Sequence, residues 1–177
     1  MPEFAVTAIG RDRPGIAAAI SGALLELQGN IEDSQMSILR GHFAVMLIVN
    51  LPDSVEAREL SERLQAVRDE LDLEAIAVNR VDDLAAPAAR PSHVISVYGA
   101  DHPGIVHAVA TALAERQVNI TGLETRLAGG TESRLYVMII EVALGDAPES
   151  EVASALREVA DEAKVEVSMR PLDAEAL

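Results

Sequence analysis

The residues best suited to chemistry come in two matching sets. Gly10-Arg11-Asp12-Arg13-Pro14-Gly15-Ile16 recurs 89 residues later as Gly99-Ala100-Asp101-His102-Pro103-Gly104-Ile105. Gln28-Gly29-Asn30-Ile31 recurs as Gln117-Val118-Asn119-Ile120. The Asp-x-Pro-Gly-Ile run reads as a helix start, with Asp as N-cap, Pro in the first turn and Gly where another group approaches the backbone. A helix N-terminus with free N–H groups beside a glycine also suits a carboxylate. Asn30 and Asn119 follow the same helix at the start of the next strand. Each either sits in the left-handed turn that ends the helix, or offers one amide donor and one acceptor to an amino acid's carboxylate and ammonium.

Other chemistry finds little support. The chain has no cysteine, so disulfides, thiol catalysis and thiolate metal sites are excluded. Of the four histidines, His102 and His107 are five apart, off the i, i+4 spacing of a helical metal pair; His42 falls in a predicted turn and His93 stands alone. No nucleophile elbow, P-loop or dinucleotide fingerprint is present. A small acyl- or phosphate-processing enzyme would need a clustered Arg/Asn or His pair that the sequence does not assemble. The expectation is therefore no catalytic residue, no metal and no cofactor.

Charge and composition narrow the partners. Fourteen Lys+Arg against 29 Asp+Glu leave a net charge of −15. That repels phosphate backbones and anionic lipid, so direct nucleic-acid or membrane binding is not expected. Aromatic residues are 2% with no Trp, too few for base stacking. Arg40-Gly41-His42-Phe43-Ala44-Val45 echoes part of an RNA-recognition motif, but the second copy lacks the echo and the first strand lacks the partner aromatic. The N-terminal segment has no basic region followed by a long apolar stretch, and no apolar run approaches the ~20 residues of a membrane span. A cytoplasmic protein is expected.

The elements that must position these residues repeat as well. From Phe4 to Ile31, 12 of 28 positions are identical at the 89-residue offset. Each copy reads as strand, helix, hairpin, helix, strand. The first helix carries Ile16, Ala19, Ile20, Ala23, Leu24 and Leu27 at helical spacing, matched by Ile105, Ala108, Val109, Ala112 and Leu113. Strands over 31–39 and 43–51 flank the turn Arg40-Gly41-His42; the second hairpin runs 120–128 and 134–144, with a longer loop at Ala128-Gly129-Gly130-Thr131. The second helix shows Val55, Leu60, Leu64, Val67 and Leu71, or Val152, Leu156 and Val159. The order β-α-β-β-α-β predicts an α+β fold of two ferredoxin-like domains, with antiparallel sheets and helices on one face. Domain bounds of 1–84 and 92–177 follow, joined by an Ala/Pro-rich linker over 85–91. The third strands, Phe43 to Val49 and Leu135 to Ile140, are apolar on both faces. A sheet covered on one face should alternate, so pairing of the two sheets or a homodimer is expected.

With two copies of Gly-x-Asp-x-Pro-Gly-Ile and the downstream Asn-Ile, each in this setting, the chain resembles tandem ACT-domain regulatory proteins. The resemblance is greatest to the glycine-cleavage-system transcriptional repressor group and the ACT domains of formyltetrahydrofolate deformylases. It implies a regulatory module that binds an amino acid between paired domains and controls amino-acid metabolism, including its transcription, through a protein partner. The ligand-binding residues it implies are Asp12, Arg13, Gly15, Ile16, Asn30 and Ile31 in the first copy. In the second they are Asp101, His102, Gly104, Ile105, Asn119 and Ile120. A protein-interaction module with vestigial pockets is the alternative. Serine-sensing ACT domains carry a motif resembling His-x-Asn-x-Pro-Gly; here those positions are Gly10 or Gly99 and Asp12 or Asp101, and a carboxylate favours a ligand's ammonium over its carboxylate.

Overall fold

The computed structural model describes residues 1–81, 89–129 and 135–172. The chain divides into two compact units, Met1–Ala86 and Pro87–Leu177. The part of the predicted linker up to residue 88, and Gly130-Thr131 of the second hairpin loop, lie outside the described residues.

The first unit runs β1 (Glu3–Arg11), α1 (Ile16–Glu26), β2 (Asn30–Leu39), β3 (His42–Asn50), α2 (Ala57–Leu71), β4 (Ala75–Val81). The second repeats it with β5 (His93–Ala100), α3 (Ile105–Ala114), β6 (Asn119–Ala128), β7 (Leu135–Ala143), α4 (Glu149–Ala163) and β8 (Val165–Pro171). Each sheet has four antiparallel strands, in the orders β2-β3-β1-β4 and β6-β7-β5-β8. This is the ferredoxin-like split βαβ arrangement, twice.

The apolar periodicities set the cores. In α1, Ile16, Ile20, Ala23 and Leu24 are buried, and α2 turns Leu60, Leu64 and Val67 to the same core. β1 alternates, burying Phe4, Val6 and Ala8 under the helices. The second core gathers Ile95, Val97, Ile105, Val109, Leu113, Met138, Ile140, Val142 and Leu156. Each such side chain contributes about 1.5–3 kcal/mol on full burial. The doubly apolar β3 splits between its two faces: Phe43, Leu47 and Val49 are buried, while Ala44 and Ile48 are half-buried and Met46 is 54% exposed.

Three local readings are corrected. Asp12 and Asp101 are not N-caps; Gly15 and Gly104 are, so Pro14 and Pro103 lie before their helices. The left-handed residues after the helices are Gln28 and Gln117, both at φ 57°, whereas Asn30 and Asn119 are already the first residues of β2 and β6. His42 opens β3 instead of sitting in the turn, because a two-residue Arg40-Gly41 turn, both at positive φ, closes the hairpin.

Candidate functional site

Each domain presents a bare helix start. Gly15 has φ 100° and ψ −15°, Gly104 φ 101° and ψ −13°. Left-handed backbone of this kind suits glycine. The first intrahelical bonds are Ala19 N–H to Gly15 O and Ala108 N–H to Gly104 O, each 2.9 Å. The N–H groups of residues 16–18 and 105–107 therefore have no partner inside their helices. No side chain caps either helix and no acidic residue lies in either first turn, whereas α2 carries Glu59 there and α4 Glu149 and Glu151. Orphan donors and the positive end of the helix dipole are left facing outward, an arrangement that accepts a carboxylate.

Around these starts the predicted residues divide. Asp12, Arg13, Asp101 and His102 are exposed in the loops. The Asp12 N–H donates to Gly41 O at 2.8 Å and ties the first loop to the β2–β3 turn. Ile16 and Ile105 are 1% and 2% exposed; they are core residues that anchor the loops from beneath and present no surface. His102 is engaged on both ring nitrogens, with Nδ1 3.0 Å from Pro103 O and Nε2 2.7 Å from Ala163 O at the end of α4. The hydrogen bond to Pro103 O, then that to Ala163 O, raises its pKa above the ordinary histidine value.

Asn30 is not beside the loop of its own domain. It pairs with Asn50 in the ladder, while Asp12 follows Arg11, which pairs with His42. Those two ends of β3 are about 26 Å apart at a strand rise of about 3.3 Å per residue. Asn119 likewise pairs with Ala143, and Ala100, at the loop end, with Leu135. At the Asn30 end, a register irregularity between Ile31 and Asp33 leaves Glu32 outside the ladder, where its carboxylate accepts from Asn50 Nδ2.

The glycine at the position of the serine-sensor histidine is explained by packing. A Cβ on Gly10 would lie 2.9 Å from Leu73 Cδ2 and 3.1 Å from Leu73 Cα; on Gly99 it would lie 2.6 Å from Val165 Cγ1. The chain entering β4 or β8 occupies the space a side chain would need.

Sequence reasoning missed an open groove of 340 Å³ between α1 and the β2 edge, lined by Ala17, Ala18, Ser21, Ile31, Met36 and Val45 among others. It joins the bare start of α1 to Ile31, which is 38% exposed. Ile120, its counterpart, instead packs half-buried against the second core. The signal in sequence is the small face of α1 at Ala17, Ala18 and Ser21, which leaves room beside the helix. Among the described residues no group of three or more His, Asp or Glu is arranged to hold a metal, and no helix is long and apolar enough to cross a membrane.

Comparison with known proteins agrees with this architecture. ACT-domain family models match residues 3–77 and 93–161. The glycine cleavage system transcriptional repressor of Escherichia coli K12 is 28% identical over 138 residues, 77% of this chain and 71% of that protein. A UPF0237 protein of Methanopyrus kandleri is 43% identical over 77 residues, 43% of this chain and 86% of its own length. A solved structure of a protein from Galdieria sulphuraria superposes with a TM-score of 0.83 at 29% identity, covering 97% of this chain and 99% of that one. With both of its four-stranded units matched, the chain belongs to the ACT-domain family, as two regulatory ACT domains in tandem related to the glycine cleavage repressor.

Proposed function

We propose that this protein is an amino-acid-responsive regulator that controls amino-acid metabolism, its transcription included, through a protein partner. The observation that carries this is the duplicated loop. Both domains keep a left-handed glycine at the helix start, leave its first N–H groups uncapped and hold an aspartate three residues before the glycine. The amino acid's carboxylate is assigned to the N–H groups after Gly15 or Gly104, and its ammonium to Asp12 or Asp101. We assign the chain no catalytic step. A charge of −15 without a basic reading helix argues for action through another protein.

The asparagine joins such a site if two copies of the chain pair. β2 is an edge strand with all ten residues exposed; Met36 and Ile38 stand 54% and 50% open, with neither Lys nor Pro to protect the edge. Antiparallel pairing of β2 with β2 of a second copy, centred between Ser34 and Gln35, sets Asn30 opposite Leu39 of that copy. Leu39 pairs with His42, beside the turn that holds the Asp12 amide. A homodimer would thus bring each Asn30 to the other copy's loop and cover the α1–β2 groove.

The test is a thermal-shift screen of the twenty amino acids, followed by calorimetric titration of Asp12→Ala and Asp101→Ala. A ligand at 100 Kd stabilises the fold by ~2.7 kcal/mol. Neither aspartate caps a helix, so each change should cost under about 0.5 kcal/mol of stability, and a lost affinity then reports on the ligand. Affinity unaltered in both variants overturns the ammonium assignment. Absence of binding at millimolar concentration favours the second reading, a protein-interaction module with vestigial pockets, which is supported by the separation of loop and asparagine within each domain.

A further inference from the structure

His102 stands between two backbone carbonyls, Pro103 O at 3.0 Å from Nδ1 and Ala163 O at 2.7 Å from Nε2. A carbonyl oxygen only accepts, so both contacts require an N–H on the ring. Neutral imidazole carries one N–H and turns a lone pair toward the other oxygen; only imidazolium satisfies both. Ala163 is the last residue of α4. Its carbonyl belongs to the unpaired set that forms the negative end of the helix dipole, which favours a cation. Geometry and dipole thus select the same protonation state.

We propose that protonated His102 is a latch tying the β5–α3 loop to the C-terminus of α4, so that the conformation of the second domain's helix start is set by a single proton. Loss of that proton leaves a single N–H for the two carbonyls, so one contact is given up and the tie of the loop to α4 loses its charge-assisted hydrogen bond and is weakened. Arg13, not a histidine, holds the corresponding place in the first domain, so the latch belongs to the second domain alone. Resting on the ligand reading above, the consequence is that an amino acid would meet one pH-sensitive loop and one pH-insensitive loop in the same chain.

Charged and titratable groups around this end of the domain include Asp101 on the loop itself, Asp161, Glu162 and Lys164 at the end of α4, Glu166 on β8 and Tyr98 on β5, with Tyr136 on β7 close enough to sense Asp101; Arg157 and Glu158 lie further up α4 and His107 on α3. Of these, Asp101 reinforces the cation. Glu132 and Arg134 lie outside the described residues. The sign follows from the raised pKa: the latch is tightest at low pH, and the stability it adds is lost as pH rises through the folded-state value.

The test is an NMR titration of the full chain without ligand, following the His102 ring nitrogens together with the carbonyl carbons of Pro103 and Ala163. His102 is expected to titrate above the ordinary histidine value, with both nitrogens protonated on the acid side and the Ala163 carbonyl following the same curve. A His102 that titrates at or below the ordinary value, or an Ala163 carbonyl indifferent to it, overturns the proposal. His102→Lys keeps a permanent donor and should flatten the Ala163 curve between about pH 5 and 8; a curve that persists identifies another titrating group and also overturns it. No ligand enters the measurement, so its failure leaves the amino-acid reading standing, and the reverse holds.

Discussion

Gly15 and Gly104, 89 residues apart, hold the same backbone conformation to within two degrees in both φ and ψ. A Cβ built on either meets nothing within 4 Å. Their constraint is therefore conformational and not steric, since L side chains pay roughly 1–2 kcal/mol in left-handed backbone. Gly15→Ala and Gly104→Ala should each lower stability by about that amount, read as a drop in the urea midpoint with an unchanged slope. Unchanged midpoints would mean that the loops relax into another conformation.

Gly10 and Gly99 make the opposite prediction. Both are in strands and both are crowded, by Leu73 and Val165. Overpacking costs about 1–3 kcal/mol. Gly99→Ala should cost more than Gly10→Ala, because the Leu73 methyl can swing aside while β-branched Val165 is stiff at χ1. Val165→Ala should recover part of the Gly99→Ala loss in a double-mutant cycle. Additive losses would show that the close approach is relieved elsewhere.

The exposed β2 edge leads to a test of assembly. Met36→Lys places a charge on a half-open edge position, the device natural sheets use to block edge pairing. Light scattering at low micromolar concentration should report a dimer for the unmodified chain and a monomer of unchanged circular dichroism for the variant. A monomer before substitution would remove the shared-site reading of Asn30.

Glu26 and Arg63 staple α1 to α2 through a 2.6 Å bond between Nε and Oε2. Glu26 lies in the last turn of α1, where the helix dipole disfavours an anion. The hydrogen bond to Arg63, then its charge, nonetheless holds the carboxyl below its ordinary value. A depressed folded-state pKa contributes stability above the unfolded value of 4.5, and that contribution is lost as pH falls through the lower folded value. The pair is exposed, so the effect should be small and weakened by salt. Arg63→Gln should flatten this acid limb of the stability profile, measured by denaturant unfolding from about pH 6 to 3; a limb of the same steepness would assign it to other carboxylates.

The sequence by itself determined the duplication, the order of elements and the core faces. Those rest on short-range periodicity: Ile16, Ile20 and Leu24 on one helix, or Phe4, Val6 and Ala8 on one strand, must share a face whatever surrounds them. It also located the two loops, because Pro and Gly carry their backbone preferences with them. The identity of the caps was not legible. Asp12 is an excellent N-cap by type, but its amide is drawn to Gly41 of a hairpin 29 residues further on, and the helix starts only after Gly15. The distance between Asp12 and Asn30 was equally hidden, since it is set by which strands pair and in what register, a non-local property. So were the crowding of Gly10 by Leu73 and the capture of both His102 nitrogens by carbonyls, one of them 61 residues away. In each case residue type states what a group can do, while the tertiary structure decides which neighbour it meets.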